Sequence, residues 1–313
     1  MKILCIGEAL IDMICTDKGK ALSDGENFLK KPGGAPTNVA AAIAALGGDV
    51  ELSAKVGIDP FGKHLIDVMQ DFGVRTKHML QDAHHFTTFA FVSLMENGER
   101  DFYFNRGADG QLTKEEVDSI DLTDVSIVHF GSATGFLDGP LKEAYVHLLQ
   151  KAKAENCFIS FDPNYRHLLF QNNKVSFIQQ SWNYLQQCHF FKVSDEEALM
   201  LTDTLTVEEA AAVFHQKTKA VFAITIGKEG TMLGVNGETH IIPSIEIKPV
   251  DTTGAGDAFT GAVLYQLRDK TKSTLTVDEW KAVIANGNKA GARTCEYLGA
   301  MEAFKHLSND IFN

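Results

Sequence analysis

Short runs of β-branched and aromatic residues recur along the chain at 3–6, 51–56, 126–130, 157–161, 188–193, 221–226 and 245–250, each bounded by Gly, Pro, Asn or Asp. Between most of them the apolar positions switch to helical spacing, as over 141–153, 207–218 and 277–294. Bounded runs of this length read as strands, and the wider spacing as one-sided helices. Strands alternating with helices predict an α/β fold, a largely parallel sheet covered on both faces. Bound ligands then belong at the carboxyl ends of the strands. No Pro/Ser-rich linker, charge block or repeat interrupts the pattern, so residues 1–313 read as a single domain.

One segment departs from the alternation. Two strand-like runs, 88–95 and 100–105, flank Glu96-Asn97-Gly98-Glu99. Asn-Gly between such runs predicts a hairpin, because both turn residues must take positive φ. Phe86, Phe89, Phe91, Phe102, Tyr103 and Phe104 load both faces of this hairpin. A lone hairpin cannot shelter them, so it packs on something other than the main sheet. It reads either as an edge hairpin of the core, or as a flap that closes over a ligand or clasps a second copy.

Composition narrows the field. Of 313 residues, 44% are hydrophobic and 22% charged, which is the globular average, and a chain this long buries a core without metal or disulfide. The net charge is −12 and no run of Lys or Arg supplies a basic patch, which excludes nucleic-acid and anionic-membrane partners. Five cysteines, at 5, 15, 157, 188 and 295, include no Cys-x-x-Cys and suit a reducing compartment. The first apolar run is broken by Glu8 and Asp12, too soon for a signal peptide. The longest uncharged stretch, 32–48, is too short and too rich in small residues for a membrane span. A cytoplasmic protein is expected.

Chemistry concentrates in four turns. Asp251-Thr252-Thr253-Gly254-Ala255-Gly256-Asp257 follows the run 245–250, and the apolar spacing of Phe259, Ala262, Val263 and Leu267 starts a helix near Asp257. Glycines at 254 and 256 let backbone amides approach an anion, and the helix N-terminus favours negative charge there. An ordinary N-cap needs one acidic residue, not a seven-residue loop of Thr, Gly, Ala and Asp. Lys31-Pro32-Gly33-Gly34-Ala35-Pro36-Thr37-Asn38 runs into a second helix, with Pro36 in its first turn. Phe161-Asp162-Pro163-Asn164-Tyr165-Arg166 ends a strand, and Arg166 carries a planar donor fork suited to phosphate or a sugar oxygen. In Lys192-Val193-Ser194-Asp195-Glu196-Glu197, Ser194-x-x-Glu197 is a capping box. By contrast, Gly57-Ile58-Asp59-Pro60-Phe61-Gly62-Lys63 mimics a P-loop, yet His64 stands where a Mg²⁺-binding hydroxyl is required. It reads as a plain strand–turn–helix junction.

The motifs Gly33-Gly34-Ala35-Pro36-Thr37-Asn38 and Asp251-Thr-Thr-Gly-Ala-Gly-Asp257 together resemble the two signatures of the ribokinase-like carbohydrate kinases, of phosphofructokinase B type. The likeness runs from Gly7-Glu8 to the last helix. Phe104-Asn105-Arg106-Gly107-Ala108-Asp109, the Phe161–Arg166 turn and Lys192–Glu197 look most like the bacterial fructokinase branch. The resemblance implies Rossmann-like α/β/α layers with a small β-lid, drawn from roughly 12–32 and 86–106, and ATP-dependent phosphorylation of a sugar hydroxyl. It implies Asp257 as catalytic base and Gly254, Ala255 and Gly256 as anion hole. It places Asp12, Gly33, Gly34, Asn38, Phe104, Arg106 and Arg166 at the sugar. It puts Asn164, Lys192, Ser194, Glu197, Thr225, Gly227, Gly230 and Asn286 at ATP. Glu197 would reach Mg²⁺ through water, although the family's Asn-x-x-Glu element stands here as Ser194-x-x-Glu197. Asp251 and Thr253 resemble a monovalent-cation (K⁺) site, and the lid a homodimer contact.

Phosphoryl transfer asks a protein for alignment and charge compensation, which a base and an amide nest supply. Asp257 at a helix N-terminus is expected to have a lowered pKa. Neighbouring substrates remain open: 2-keto-3-deoxygluconate, a riboside or ribose. So does a non-catalytic sugar or nucleotide sensor, although a sensor has no use for the base.

Overall fold

The structure is a computed structural model describing residues 1–95, 100–271 and 275–312. The turn expected at 96–99 lies outside the described residues. The first half of the chain runs β1 (Lys2–Ile6), β2 (Leu10–Cys15), β3 (Phe28–Gly33), α1 (Ala35–Ala45), β4 (Val50–Gly57), α2 (Pro60–Asp71) and β5 (Met79–Asp82). Then come β6 (Phe89–Leu94), β7 (Arg100–Asn105), α3 (Lys114–Asp118), β8 (Val125–Gly131), α4 (Pro140–Ala154) and β9 (Phe158–Asp162). Next are α5 (His167–Phe170), α6 (Lys174–Leu185), β10 (Phe190–Ser194), α7 (Asp195–Thr202), α8 (Val207–Lys217) and β11 (Val221–Thr225). The chain closes with β12 (Thr231–Val235), β13 (Glu238–Ile242), α9 (Ala255–Leu267), α10 (Val277–Thr294) and α11 (Ala300–Phe304).

Nine strands form the main sheet in the order β13-β12-β11-β10-β9-β8-β1-β4-β5, parallel from β11 through to β5 and antiparallel at β12 and β13. Alternation along β1 shows how both faces are covered. Ile3 and Cys5 pack with Val39, Ala42, Ala258, Val263 and Ile284 of α1, α9 and α10. Leu4 and Ile6 pack with Leu148, Phe177, Ala198 and Phe214 of α4, α6, α7 and α8. These are the three expected layers. Helix starts follow local chemistry: capping boxes open α3, α7, α8 and α10, and Pro sits in the first turn of α1, α2 and α4.

A second sheet of four strands, β3-β2-β6-β7, stands apart. Its outer pairs are antiparallel and β2–β6 is parallel. One face meets α2 through an edge-on contact of Phe61 with Phe89, ring centroids 4.8 Å apart. The register puts Lys31, Asp12, Ala90 and Phe104 in one row across the other face. Phe102 stacks beside Phe104 at 6.3 Å on that face.

One strand expectation is corrected, and one hairpin is added. Residues 245–250 form no strand: Pro243 and Pro249 cannot donate to a ladder, and the extended segment lines a cavity instead. A hairpin joins β12 to β13 through Asn236 and Gly237, at φ 52° and 84°. That is the same Asn-Gly signal, present in the sequence and passed over there. The P-loop mimic is the junction expected. Asp59 caps α2, its Oδ1 accepting from the amides of Phe61 (2.9 Å) and Gly62 (2.8 Å). A carboxylate therefore fills the space a phosphate would need.

Candidate active site

Asp257 is the third residue of α9, following the N-cap Gly254 at φ 82°. A Cβ on Gly254 would lie 2.4 Å from the Ala300 Cβ, so glycine is required twice over at that turn. The Ala255 amide donates to the Thr252 carbonyl (3.2 Å). Among the described residues the amides of Gly254, Gly256 and Asp257 have no such acceptor, so the turn before α9 and its first residues present open donors.

The Asp257 carboxylate is 8% exposed, and its Oδ2 accepts a 2.8 Å hydrogen bond from Asn38 Nδ2 at the start of α1. Burial pushes its pKa up to about 6, with Asp162 adding to the rise and Asn38, Arg166 and Lys192 opposing it. The expected lowering is thus corrected: desolvation outweighs the helix dipole at this depth.

Three elements supply charge around it. The Lys192 ammonium is buried, 3.3 Å from Asp162 Oδ2, and a Cβ placed on Gly256 would stand 3.0 Å from it. Burial works against that charge, but Asp162, Glu197 and Asp257 outweigh it and hold the ammonium above its ordinary value. Glu197 accepts from the amides of Tyr165 (2.6 Å) and Ser194 (2.8 Å), while Ser194 Oγ accepts from the Glu197 amide (3.1 Å). Burial raises the Glu197 pKa against the pull of Lys192. Asn164 turns the chain after β9 at φ 48°, its amide on Asp162 Oδ1, and brings Arg166 to the rim. Asn164, Tyr165, Arg166, Lys192, Ser194 and Glu197 line a recess of about 490 Å³.

The second sheet closes the other side. Burial pushes Asp12 up to about 6, with Arg166 opposing. A Cβ on Gly33 would lie 2.1 Å from Asp12 Oδ2, and one on Gly34 2.3 Å from the Glu8 carbonyl oxygen, so this carboxylate rests against bare backbone. Phe104 shares the Asp12 row. Arg106 is committed elsewhere: Nη1 donates to the Asp138 carbonyl (2.5 Å), Nη2 to the Thr134 carbonyl (3.3 Å), and Nε faces Asp109 Oδ2 at 3.6 Å. It anchors the root of the small sheet rather than pointing at Asp257.

A cavity of about 670 Å³ adjoins Ala255 and Gly256 on the far side. Thr225, Gly227 and Gly230 line it, with Ile245, Ile247 and Asn288 opposite. Its apolar wall and polar ends suit a nucleotide. Asn286 does not reach it: that side chain donates to Gln266 (2.8 Å), while Asn288, about 200° round α10, bonds Thr231 Oγ1 (2.6 Å) and the Ile242 carbonyl (2.9 Å). Asp251 Oδ1 accepts from Thr253 N (3.0 Å) and Oγ1 (2.7 Å), and Oδ2 from the Gly299 amide (2.8 Å), which fixes the loop before α9. Sequence reading quoted Asp162 only as part of a turn and missed Asn288 altogether. The position of Asp162 at a strand's carboxyl end was the available signal.

A buried carboxylate beside open helix-terminal amides, between a nucleotide-sized cavity and a polar second sheet, defines a phosphotransferase acting on an alcohol. The pfkB family carbohydrate kinase pattern matches residues 1–306, and the chain belongs to that family. It is 35% identical over 306 residues to fructokinase-1 of Zea mays, covering 96% of this chain and 93% of that one. Fructokinase of Xylella fastidiosa with bound ATP superposes with a TM-score of 0.86 at 27% identity, covering 99% and 96% of the two chains. Fructokinase of Vibrio cholerae O395 in its fructose, ADP and calcium ion bound form gives a TM-score of 0.81 at 28% identity, covering 99% and 97%. No helix among the described residues is long and apolar enough to cross a membrane.

Proposed function

We propose that the protein is a fructokinase, transferring the γ-phosphoryl group of ATP to the 6-hydroxyl of D-fructose. The observation that carries this reading is Asp257, buried beside the open amides of α9 and held by Asn38 between the two cavities and the second sheet. The fructokinase relatives support the choice of sugar.

The adenine end of ATP lies along Thr225, Gly227, Gly230 and Asn288, and the phosphates turn toward Gly256. Fructose lies under the second sheet, with Asp12, Gly33, Gly34 and Arg166 at its hydroxyls and Phe104 against the ring. Asp257 takes the hydroxyl proton as the new P–O bond forms, and a base near pKa 6 suits transfer at neutral pH. The Gly256 and Asp257 amides, with Lys192, meet the charge building on the phosphoryl oxygens.

No cluster of three metal-binding side chains occurs among the described residues. A bound Mg²⁺ would be held by the phosphates and by water, and Asp162 and Glu197 would reach it through those waters. Its chemistry there would be charge neutralisation at the β- and γ-phosphates. A K⁺ beside Asp251 and Thr253 would stiffen the loop that carries the anion hole. The small sheet acts as lid over the sugar, and its half-exposed Ile14 and Leu29 form the contact with a second copy.

A coupled ADP-release assay over fructose, ribose, 2-keto-3-deoxygluconate and a riboside tests the reading. The highest kcat/KM is expected with fructose. A higher value for another sugar moves the substrate, and no ADP with any of them leaves a sensor.

A further inference from the structure

Glu8 belongs to none of these roles, yet it is 1% exposed and lies where the main sheet divides. β1 and β8 are parallel neighbours whose chains leave the sheet in different directions, opening a crevice at their carboxyl ends. Glu8 follows β1 into that crevice. Its Oε1 accepts from the amide of Ala35, the first residue of α1 (3.0 Å), and its carbonyl oxygen accepts from Thr37 Oγ1 (2.8 Å). Its Oε2 accepts from Thr134 Oγ1 (3.2 Å), and the Thr134 carbonyl in turn holds Arg106. Asp109 faces the same Arg106 and also accepts from Thr88 Oγ1, so both roots of the small sheet meet here.

We propose that Glu8 is a positioning residue for phosphoryl transfer: it seats the first turn of α1 and ties it to the root of the small sheet, so that Asn38 presents its amide to Asp257. The inference rests on the reading of Asp257 as base. Asn38 is only three positions beyond Ala35, so a loosened first turn is felt directly at the 2.8 Å Asn38–Asp257 bond. Burial of an ionisable group at a helix start is costly unless its contacts matter, and Glu8 is pushed up to about 7 by that burial, with Asp109 adding to it.

Glu8→Gln keeps both contacts, its amide oxygen accepting from Ala35 and its amide nitrogen donating to Thr134, and should keep kcat within about threefold. Glu8→Ala strands the Ala35 amide and should lower kcat at least about tenfold while the KM for ATP stays within about twofold. Its acid limb of kcat/KM should also move to higher pH, because the Asn38 bond is one of the groups holding Asp257 down. The other charged groups facing Asp257 (Asp162, Arg166 and Lys192) remain in place, as do Asp109 and the neutral Tyr145 hydroxyl facing Glu8. A general packing role would lower thermal stability without moving that limb. Should Glu8→Ala fail to fold, Thr134→Val removes one hydroxyl and should give a smaller shift in the same direction.

An unmoved limb in a folded variant, or a Gln variant as impaired as Ala, overturns the assignment. In an Asp257→Asn background, Glu8→Ala should cost little more, since it acts through the base. Additive losses sink the Glu8 role alone, whereas an Asp257→Asn enzyme with normal turnover sinks the base itself.

Discussion

Replacing Asp257 by Asn separates the chemical and the structural consequences of one buried carboxylate. The amide keeps the shape and can still accept from Asn38, but it cannot take a proton. Loss of a positioned base costs about 10²–10⁴ in kcat, with ATP and sugar binding kept. The stability change has the opposite sign. Raising the pKa from 3.8 to about 6 separates the two protonation states by roughly 3 kcal/mol at 1.36 kcal/mol per unit. A raised carboxyl contributes stability fully below its unfolded pKa of 3.8 and loses it as pH rises through about 6. Asn has no such titration, so the variant should gain on the wild type above pH 6, by up to about 3 kcal/mol at pH 8, and the gain should vanish near pH 4. Coupled ADP release gives kcat, and thermal melts across that range give stability. The wild-type kcat/KM should fall on the acid side with a midpoint near pH 6. Near-normal turnover in the folded variant, or equal destabilisation at both pH extremes, would refute the reasoning.

Lys63 is 73% exposed and pairs with Asp67 on its own helix, so Lys63→Ala should leave the KM for ATP within a few-fold, read by ATP titration at saturating sugar. Asn288→Ala should raise that KM by about tenfold, through loss of a buried polar anchor, and Asn286→Ala should leave it unchanged; a reversed order would move the cavity to the other face of α10. Gly256→Ala points a methyl at the Lys192 tip, so kcat should fall about tenfold with little change in melting temperature. Arg106→Ala leaves Asp109 buried and unpaired, with an expected loss of about 3 kcal/mol, and as the root of the small sheet loosens the fructose KM should rise about tenfold with ATP spared. An unshifted fructose titration would make that arginine purely structural.

The layered fold was legible because buried parallel strands and one-sided helices write strong periodicities. The helix over 277–294 matches the structure residue for residue. Strands β2 and β3 carry the polar Asp12, Lys30 and Lys31 and a proline at 32, residues serving a second sheet rather than a core, and periodicity alone does not reveal them. The run 245–250 misled for the converse reason: its apolar residues face a cavity, and a cavity wall and a strand interior select the same side chains. The glycine loop marked Asp257, but the sign of its pKa shift depends on how deeply α1 and α9 bury it, which no local motif encodes. Asn286 and Asn288 show the same limit, since two asparagines on one helix differ only in which way the helix is turned.

Asn38 and Asp257 lie 219 positions apart in sequence, and what brings them to hydrogen-bonding distance is the packing of two helices. Residues 40–42 of α1 are all Ala, and Gly261 of α9 faces Ala42 and the backbone of Val39 and Ile43. A Cβ built on Gly261 would stand 2.8 Å from that of Ala42, so the axes approach closely only because neither helix carries bulk there. Ala42 is one turn beyond Asn38, and Gly261 one turn beyond Asp257. The close contact of small residues therefore sets the separation of the polar pair directly above it, and both helix N-termini then face the same space. In an acidic protein whose site holds Asp12, Asp162, Glu197 and Asp257 against Lys192 and Arg166, those two N-termini supply positive potential that the side chains do not. Ala42, which reads in the sequence as featureless helix, thus helps to place the two N-termini side by side.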